Sequence, residues 1–154
     1  ERLLLTLVNN ADFDGQHRQI IDRRTPGTLH EPVGPRKGLI IIVPGWSGPR
    51  SGPADMLVYL ASKIALAGWR ALRLDLPGRG DAEGDFHACG LDDMIATVLT
   101  THELFGSPSE RTYILGLCSG GNVALGAVSL SPTLQISRHT RAELNRIGVI
   151  ALST

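Results

Sequence analysis

Residues 113–125 read YILGLCSGGNVAL. An apolar run enters, a cysteine and a serine stand side by side between glycines, and small residues follow at helical spacing. Gly116-Leu117-Cys118-Ser119-Gly120 fits the pattern small-x-nucleophile-x-small with cysteine at the centre. The pattern has a physical cause. A strand that turns abruptly into a helix holds its central residue in a strained conformation, and only glycine-sized neighbours avoid a clash. The central side chain then stands exposed above the sheet, and the next N–H groups open a helix, where they favour negative charge. Centring the pattern on Ser119 puts Leu117 at the first small position, so the spacing favours Cys118. The competing reading is a buried small apolar side chain, the commonest role of a free cysteine.

Outward from this stretch the chain alternates. The unbroken run Leu39 to Val43 is rich in β-branched residues and reads as a strand buried on both faces. ADMLVYLASKIALAG carries Met56, Leu57, Leu60, Ile64 and Leu66 at helical spacing and reads as a helix stopped by Gly68. WRALRLDLPG predicts the next strand, 91–106 a second helix with a glycine stop, TYILGLC a strand, GNVALGAVSLS a small-residue helix, and IGVIALS a last strand. SPTLQISRHTRAELNR reads as a polar connection. Ahead of this series, RLLLTLVNN and HRQIIDRR read as an antiparallel hairpin around the turn NNADFDG. TPGTLHEPVGPRKG holds Pro26, Pro32 and Pro35 and reads as a loop. The expected class is α/β: a hairpin over 1–25, then a βαβ core over 38–154, with a mostly parallel sheet and helices on both faces.

Composition bounds the partners. The chain has 154 residues with 15 basic against 15 acidic, 42% apolar and 19% charged. That describes a globular domain without a field for nucleic acid or a membrane surface. No apolar run approaches the roughly 20 residues that cross a bilayer. Two cysteines, Cys89 and Cys118, make no disulfide framework and suit a reducing, cytoplasmic setting. The chain opens at Glu1 and closes on IGVIALST, so both ends read as cut and the domain as part of a larger one.

In an α/β sheet, ligands sit beyond the C-terminal ends of the strands. PGWSG, DLPGRGDAEG and GLCSGG are all glycine-rich and all fall at that edge. With these residues in place the sequence resembles the N-terminal portion of the α/β-hydrolase superfamily. IIIVPGWSG looks like the family's third strand and oxyanion loop, with Pro44 where a histidine is usual. LRLDLPGRGDAEG looks like its fourth strand and glycine loop, and LGLCSGG like its nucleophile elbow. DLPGRGD.EG with GLCSG is similar, more narrowly, to hydrolases associated with exosortase systems. The resemblance implies acyl transfer, meaning hydrolysis of an ester, thioester or amide. Cys118 would be the nucleophile, and the backbone N–H groups of Ser119 and Trp46 the oxyanion donors.

One departure matters. The family order is nucleophile, acid, histidine, yet after Cys118 the only acid is Glu143 and the only histidine His139, in the reverse order. Both lie before the last strand. The triad's acid and histidine are therefore expected outside this chain, which reads as ending after the family's sixth strand. His87 is the candidate base within these residues. Its plain alternative is a loop histidine facing solvent.

Other motifs are weaker. Gly116-x-Cys118-x-x-Gly121 lacks the second glycine of a dinucleotide fingerprint. Asp81, Glu83 and Asp85 alternate like calcium ligands, but Phe86 stands where a calcium loop needs glycine. They read as a solvated acidic loop, and the RGD within it as chance. His17, His30 and His102 have no metal-ligand spacing. Cys89 reads as structural, and Trp46 and Trp69 as packing residues, Trp46 also bordering the pocket. No cofactor or metal is expected. A catalytically inactive hydrolase-like fold, kept for binding or structure, is the alternative function. The apolar last strand suggests self-association or a partner chain.

Overall fold

A computed structural model describes residues 4–8, 16–21, 25–130 and 147–152. The strands are β1 (Leu4–Val8), β2 (Gln16–Ile21), β3 (Gly27–Glu31), β4 (Gly38–Val43), β5 (Arg70–Leu74), β6 (Arg111–Leu117) and β7 (Ile147–Leu152). The helices are α1 (Met56–Leu66), α2 (Leu91–Phe105) and α3 (Gly120–Leu130). The strands form one sheet in the order β1-β2-β3-β5-β4-β6-β7. The β1–β2, β2–β3 and β3–β5 pairs are antiparallel, and β5, β4, β6 and β7 run parallel. The hairpin and the mostly parallel sheet thus stand as expected. The NNADFDG turn and the SPTLQISRHTRAELNR connection, with Glu143 and His139, lie outside the described residues.

Central β4 is buried at all six positions, because its alternating side chains enter two different cores. Leu39, Ile41 and Val43 meet α2 and α3 through Met94, Ile95, Val98, Val123, Ala124 and Ala127. Ile40 and Ile42 meet α1 through Leu57 and Ala61. Helices therefore cover both faces, which is why the β4 sequence is continuously apolar rather than alternating.

Two expectations need correction. Within the proline-rich segment, Gly27–Glu31 is a strand rather than loop. Pro26 and Pro32 flank it without entering it, as prolines at strand ends do, and Leu29 and His30 are buried. A Cβ at Gly27 would stand 3.1 Å from the Arg73 carbonyl oxygen, so the glycine permits close approach to β5. In α1 the buried stripe is Leu57, Ala61 and Ala65, with Leu60 and Ile64 packed at its side. Met56 and Leu66, 39% and 65% exposed, face outward. Alanines at i+4 and i+8 admit the helix closely to the sheet, a contact that counting large apolar residues overlooks.

Both glycine stops stand, by different means. Gly68 adopts φ 91 and its N–H donates to Ala65 O at 2.9 Å, as a left-handed helix end does. Gly106 is extended. It is confined by space instead, since a Cβ there would meet the His102 ring at 2.6 Å. Among the described residues no helix is long and apolar enough to cross a membrane.

Truncating Ile41 to alanine empties the centre of the larger core and is expected to lower the unfolding free energy by about 2–5 kcal/mol. Leu66→Ala, on the exposed face of α1, should change it by less than about 0.5 kcal/mol. Urea melts of the two variants check both values, and similar losses would contradict the assigned helix face.

Candidate active site

Three loops meet beyond the C-terminal ends of β4, β5 and β6. The third is a bend. β6 ends at Leu117 and α3 starts at Gly120, leaving Cys118 and Ser119 to turn the chain. Cys118 is exposed and takes φ 53, a left-handed conformation that costs a non-glycine residue of order 1–3 kcal/mol. Its neighbours must be glycine for steric reasons. A Cβ at Gly116 would overlap the backbone of Gly120 and Gly121, and one at Gly120 would stand 2.5 Å from Pro44 O and 2.6 Å from Val43 O. The bend is also tied to the last strand, where Cys118 N–H donates to Leu152 O at 2.8 Å.

The β4–α1 loop lies directly against this bend. A Cβ on Gly45 would be 3.6 Å from Cys118 Cβ, so only backbone separates the loop from the sulfur-bearing residue. Gly45 to Gly48 forms a β-turn closed by Gly48 N–H to Gly45 O at 3.0 Å, and Cys118 to Gly121 forms another closed by Gly121 N–H to Cys118 O at 2.9 Å. Trp46 and Ser119 hold the second position of their turns, where the N–H is not used by the turn itself. Among the described residues neither amide donates to another group. Two unengaged backbone donors thus occur next in sequence to exposed Cys118 and to its neighbour Gly45.

The β5–α2 loop braces the first loop through charge. Asp75 is fully buried and accepts from Arg50 N at 2.6 Å, from Asp81 N at 3.2 Å and from Arg50 Nη1. Arg50 Nη1 also meets Asp81 Oδ2 at 2.8 Å. Burial works against the charge on Arg50, but its hydrogen bonds and charge contacts with Asp81 and Asp75 outweigh that and raise its pKa above the ordinary value. Arg73 has the opposite balance. Burial first, then the charge of Arg50, pushes its guanidinium down to about 10, against the pull of Asp75 and Asp55. Arg73 donates to His30 Nε2 at 3.0 Å and to Arg50 O at 3.0 Å, so His30 is a buried partner in this network.

His87 is less closely placed. It is exposed, its N–H donates to Asp85 Oδ1 at 2.9 Å, and its ring meets Phe86 edge-on at 5.4 Å. Phe86 in turn meets Trp46 edge-on at 6.4 Å. The aromatic chain reaches the site, but no hydrogen bond joins His87 to Cys118. Asp81, Glu83 and Asp85 are exposed, and no group of three or more metal-binding side chains occurs among the described residues. The sequence reading missed Arg79. It is 4% exposed, and its Nε donates to Trp46 O at 2.6 Å. The available signal was an arginine held between two glycines at the functional sheet edge.

A direct test of the bend is Gly116→Ala, where the added methyl meets backbone that cannot rotate away. The variant should lose about 3 kcal/mol or more or fail to accumulate as folded protein. Circular dichroism during a urea titration would reveal this, and an unchanged midpoint would contradict the close approach of Gly116 to Gly120.

No family model matches the sequence, and no curated protein does. Solved structures do share its shape. The chain is similar to alpha/beta hydrolase domain-containing protein 10 from mouse, at 15% identity and TM-score 0.62, over 96% of this chain and 48% of that one. It is similar to Est1E from Butyrivibrio proteoclasticus with bound ferulic acid, at 20% identity and TM-score 0.61, over 82% of this chain and 49% of that one. Dienelactone hydrolase from Anabaena variabilis ATCC 29413 aligns at 16% identity and TM-score 0.61, over 98% of this chain and 63% of that one. The chain spans about half the length of the first two. At these identities the likeness is one of fold, and the strand order, the bend at Cys118 and the loop laid against it agree with it: the chain has the α/β-hydrolase fold.

Proposed function

We propose that this chain supplies the nucleophile and oxyanion side of an acyl hydrolase acting on an ester, thioester or amide. The observation that carries the reading is an exposed Cys118 at a left-handed bend, next to two backbone amides that donate to nothing else. Cys118 Sγ attacks the acyl carbon, and the carbonyl oxygen takes up the negative charge. The N–H groups of Trp46 and Ser119 hold that oxyanion, each such donor being worth about 10²–10³ in rate. Collapse expels the alcohol, thiol or amine and leaves an acyl group on sulfur, which water then releases. Deacylation calls for a base and an orienting acid. His87 is the candidate base among the described residues, and the remaining partners belong to residues outside this chain. The reaction needs no cofactor. Two free cysteines support a reducing, cytoplasmic location.

A second reading has its own support. No histidine or carboxylate hydrogen-bonds to Cys118 among the described residues, which favours a hydrolase-like fold kept for binding. p-Nitrophenyl acetate separates the two. Under the first reading the chain releases a burst of p-nitrophenolate equivalent to its Cys118 content, with slow turnover afterwards. Cys118→Ala abolishes the burst and Cys89→Ala retains it. Iodoacetamide labelling of Cys118 without any burst would favour the binding fold.

β7 stands at the edge of the sheet, with Val149, Ile150 and Leu152 only partly covered. We propose that its free edge pairs with a second copy of the chain. Light scattering should give a mass that rises with concentration, and a constant monomer mass at high concentration would overturn this.

A further inference from the structure

Arg79 is a buried cation with no carboxylate partner among the described residues. It is 4% exposed, and no ion pair engages it among the described residues. Two carboxylates of the same loop, Asp75 and Asp81, both pair with Arg50 instead. Burying an uncompensated charge is costly. What offsets the cost here is two carbonyls and two rings. Nε donates to Trp46 O at 2.6 Å and Nη1 to Pro77 O at 2.7 Å. The guanidinium carbon lies 4.5 Å from the Phe86 ring centroid and 5.9 Å from that of Trp46.

The loop is shaped to deliver this side chain. Gly78 and Gly80, on either side of Arg79, take φ 70 and φ 57. A Cβ at Gly78 would be 2.7 Å from Phe86 N, and one at Gly80 would overlap the Asp75 carboxylate. The backbone therefore has one course, and Arg79 is held at its inner point.

The carbonyl that Arg79 grips belongs to Trp46, whose N–H is the proposed oxyanion donor. The Trp46 turn has two peptide planes to hold. The first contains Gly45 O and Trp46 N–H and is held by Gly48 N–H at 3.0 Å. The second contains Trp46 O and is the central peptide of the turn. The common β-turn forms differ by rotation of that central peptide. In an exposed turn, with Trp46 63% exposed, nothing else described holds it in one form. A hydrogen bond from a charged donor is about twice as strong as a neutral one, and Arg79 applies one to this peptide.

We propose that Arg79 is a positioning residue for acyl transfer: by fixing the Trp46 carbonyl it holds the turn in one form, and with it the Trp46 residue whose N–H is the proposed oxyanion donor. This rests on the acyl-transfer reading above. The balance of the probed step is simple. The Cys118 thiol proton passes to solvent, a C–S bond forms at the acyl carbon, the C–O bond to p-nitrophenol breaks, and p-nitrophenolate leaves with the electron pair.

Two reactions of the same sulfur test it. Acylation by p-nitrophenyl acetate develops an oxyanion, whereas alkylation by iodoacetamide displaces iodide at a saturated carbon and develops none. For Arg79→Met, acylation should slow about 10–100-fold, up to the loss of one oxyanion donor. Alkylation should change by less than about twofold, because no oxyanion forms. Arg79→Lys, which keeps the charge but loses the planar fork, should recover part of the acylation rate. Should Arg79→Met not fold, Arg79→Lys carries the comparison against wild type. Equal slowing of both reactions, or no slowing of acylation in a folded variant, overturns the proposal. If wild type is alkylated but never acylated, the acyl-transfer reading fails separately. The ¹⁵N heteronuclear NOE of the Ser47 amide, the N–H of the central peptide, then decides the anchoring itself. A fall in the variant, with the Ile41 amide unchanged, supports it, and an unchanged value overturns it.

Discussion

Everything at the candidate site depends on backbone touching backbone where β6 meets α3. Gly116 lies against Gly120 and Gly121, and Gly120 lies against the carbonyls of Val43 and Pro44. No side chain fits at either glycine, so the strand can reverse into a helix within two residues and still sit on its neighbour. That close approach puts Cys118 at the apex in a left-handed conformation, a strain the surrounding contacts must hold. It also brings the β4 loop alongside Cys118, so that a Cβ added at Gly45 would touch Cys118 Cβ. The Cys118 bend and the β4 loop are thus positioned by one packing event rather than two.

The same edge is braced by charge. Asp75, fully buried, is the hub that ties the Arg50 end of the first loop to the start of the second. Three arginines share this small volume and their situations differ. Arg50 has carboxylates and keeps its proton more firmly. Arg73 has a histidine and a carbonyl, and burial weakens its hold on its proton. Arg79 has carbonyls and aromatic faces. All three engage the β4 loop, Arg50 from within it, Arg73 through Arg50 O and Arg79 through Trp46 O, so that loop is fixed at both ends. A preorganised donor set is what acyl transfer asks of an oxyanion site, since donors that must first reorient lose much of their value.

How much of this was legible varies by element. Leu39 to Val43 was readable as a doubly buried strand, because a strand between two helix layers has no polar face to betray its pitch. The Cys118 bend was readable from spacing, because the steric rule for it is local. Gly27–Glu31 was not, since prolines on both sides outweighed a five-residue pattern that only pairing with β5 makes into a strand. The outward turn of Met56 and Leu66 was hidden too, because alanines mark the close face of α1 and large apolar side chains do not. Arg79 was passed over as part of a glycine loop, since nothing local says that an arginine will be buried.

By itself, then, the amino-acid order determined the parallel α/β plan, the two glycine-ended helices and the place of the bend, all of which follow from short-range sterics and periodicity. Only the tertiary structure decided which loops meet, that Gly45 rather than His87 is the neighbour of Cys118, and which arginine holds which peptide. Those are contacts between residues some 20 or more positions apart, such as Arg73 with Arg50 and Arg79 with Trp46. Their geometry depends on how the sheet brings its strand ends together, a quantity no local pattern contains.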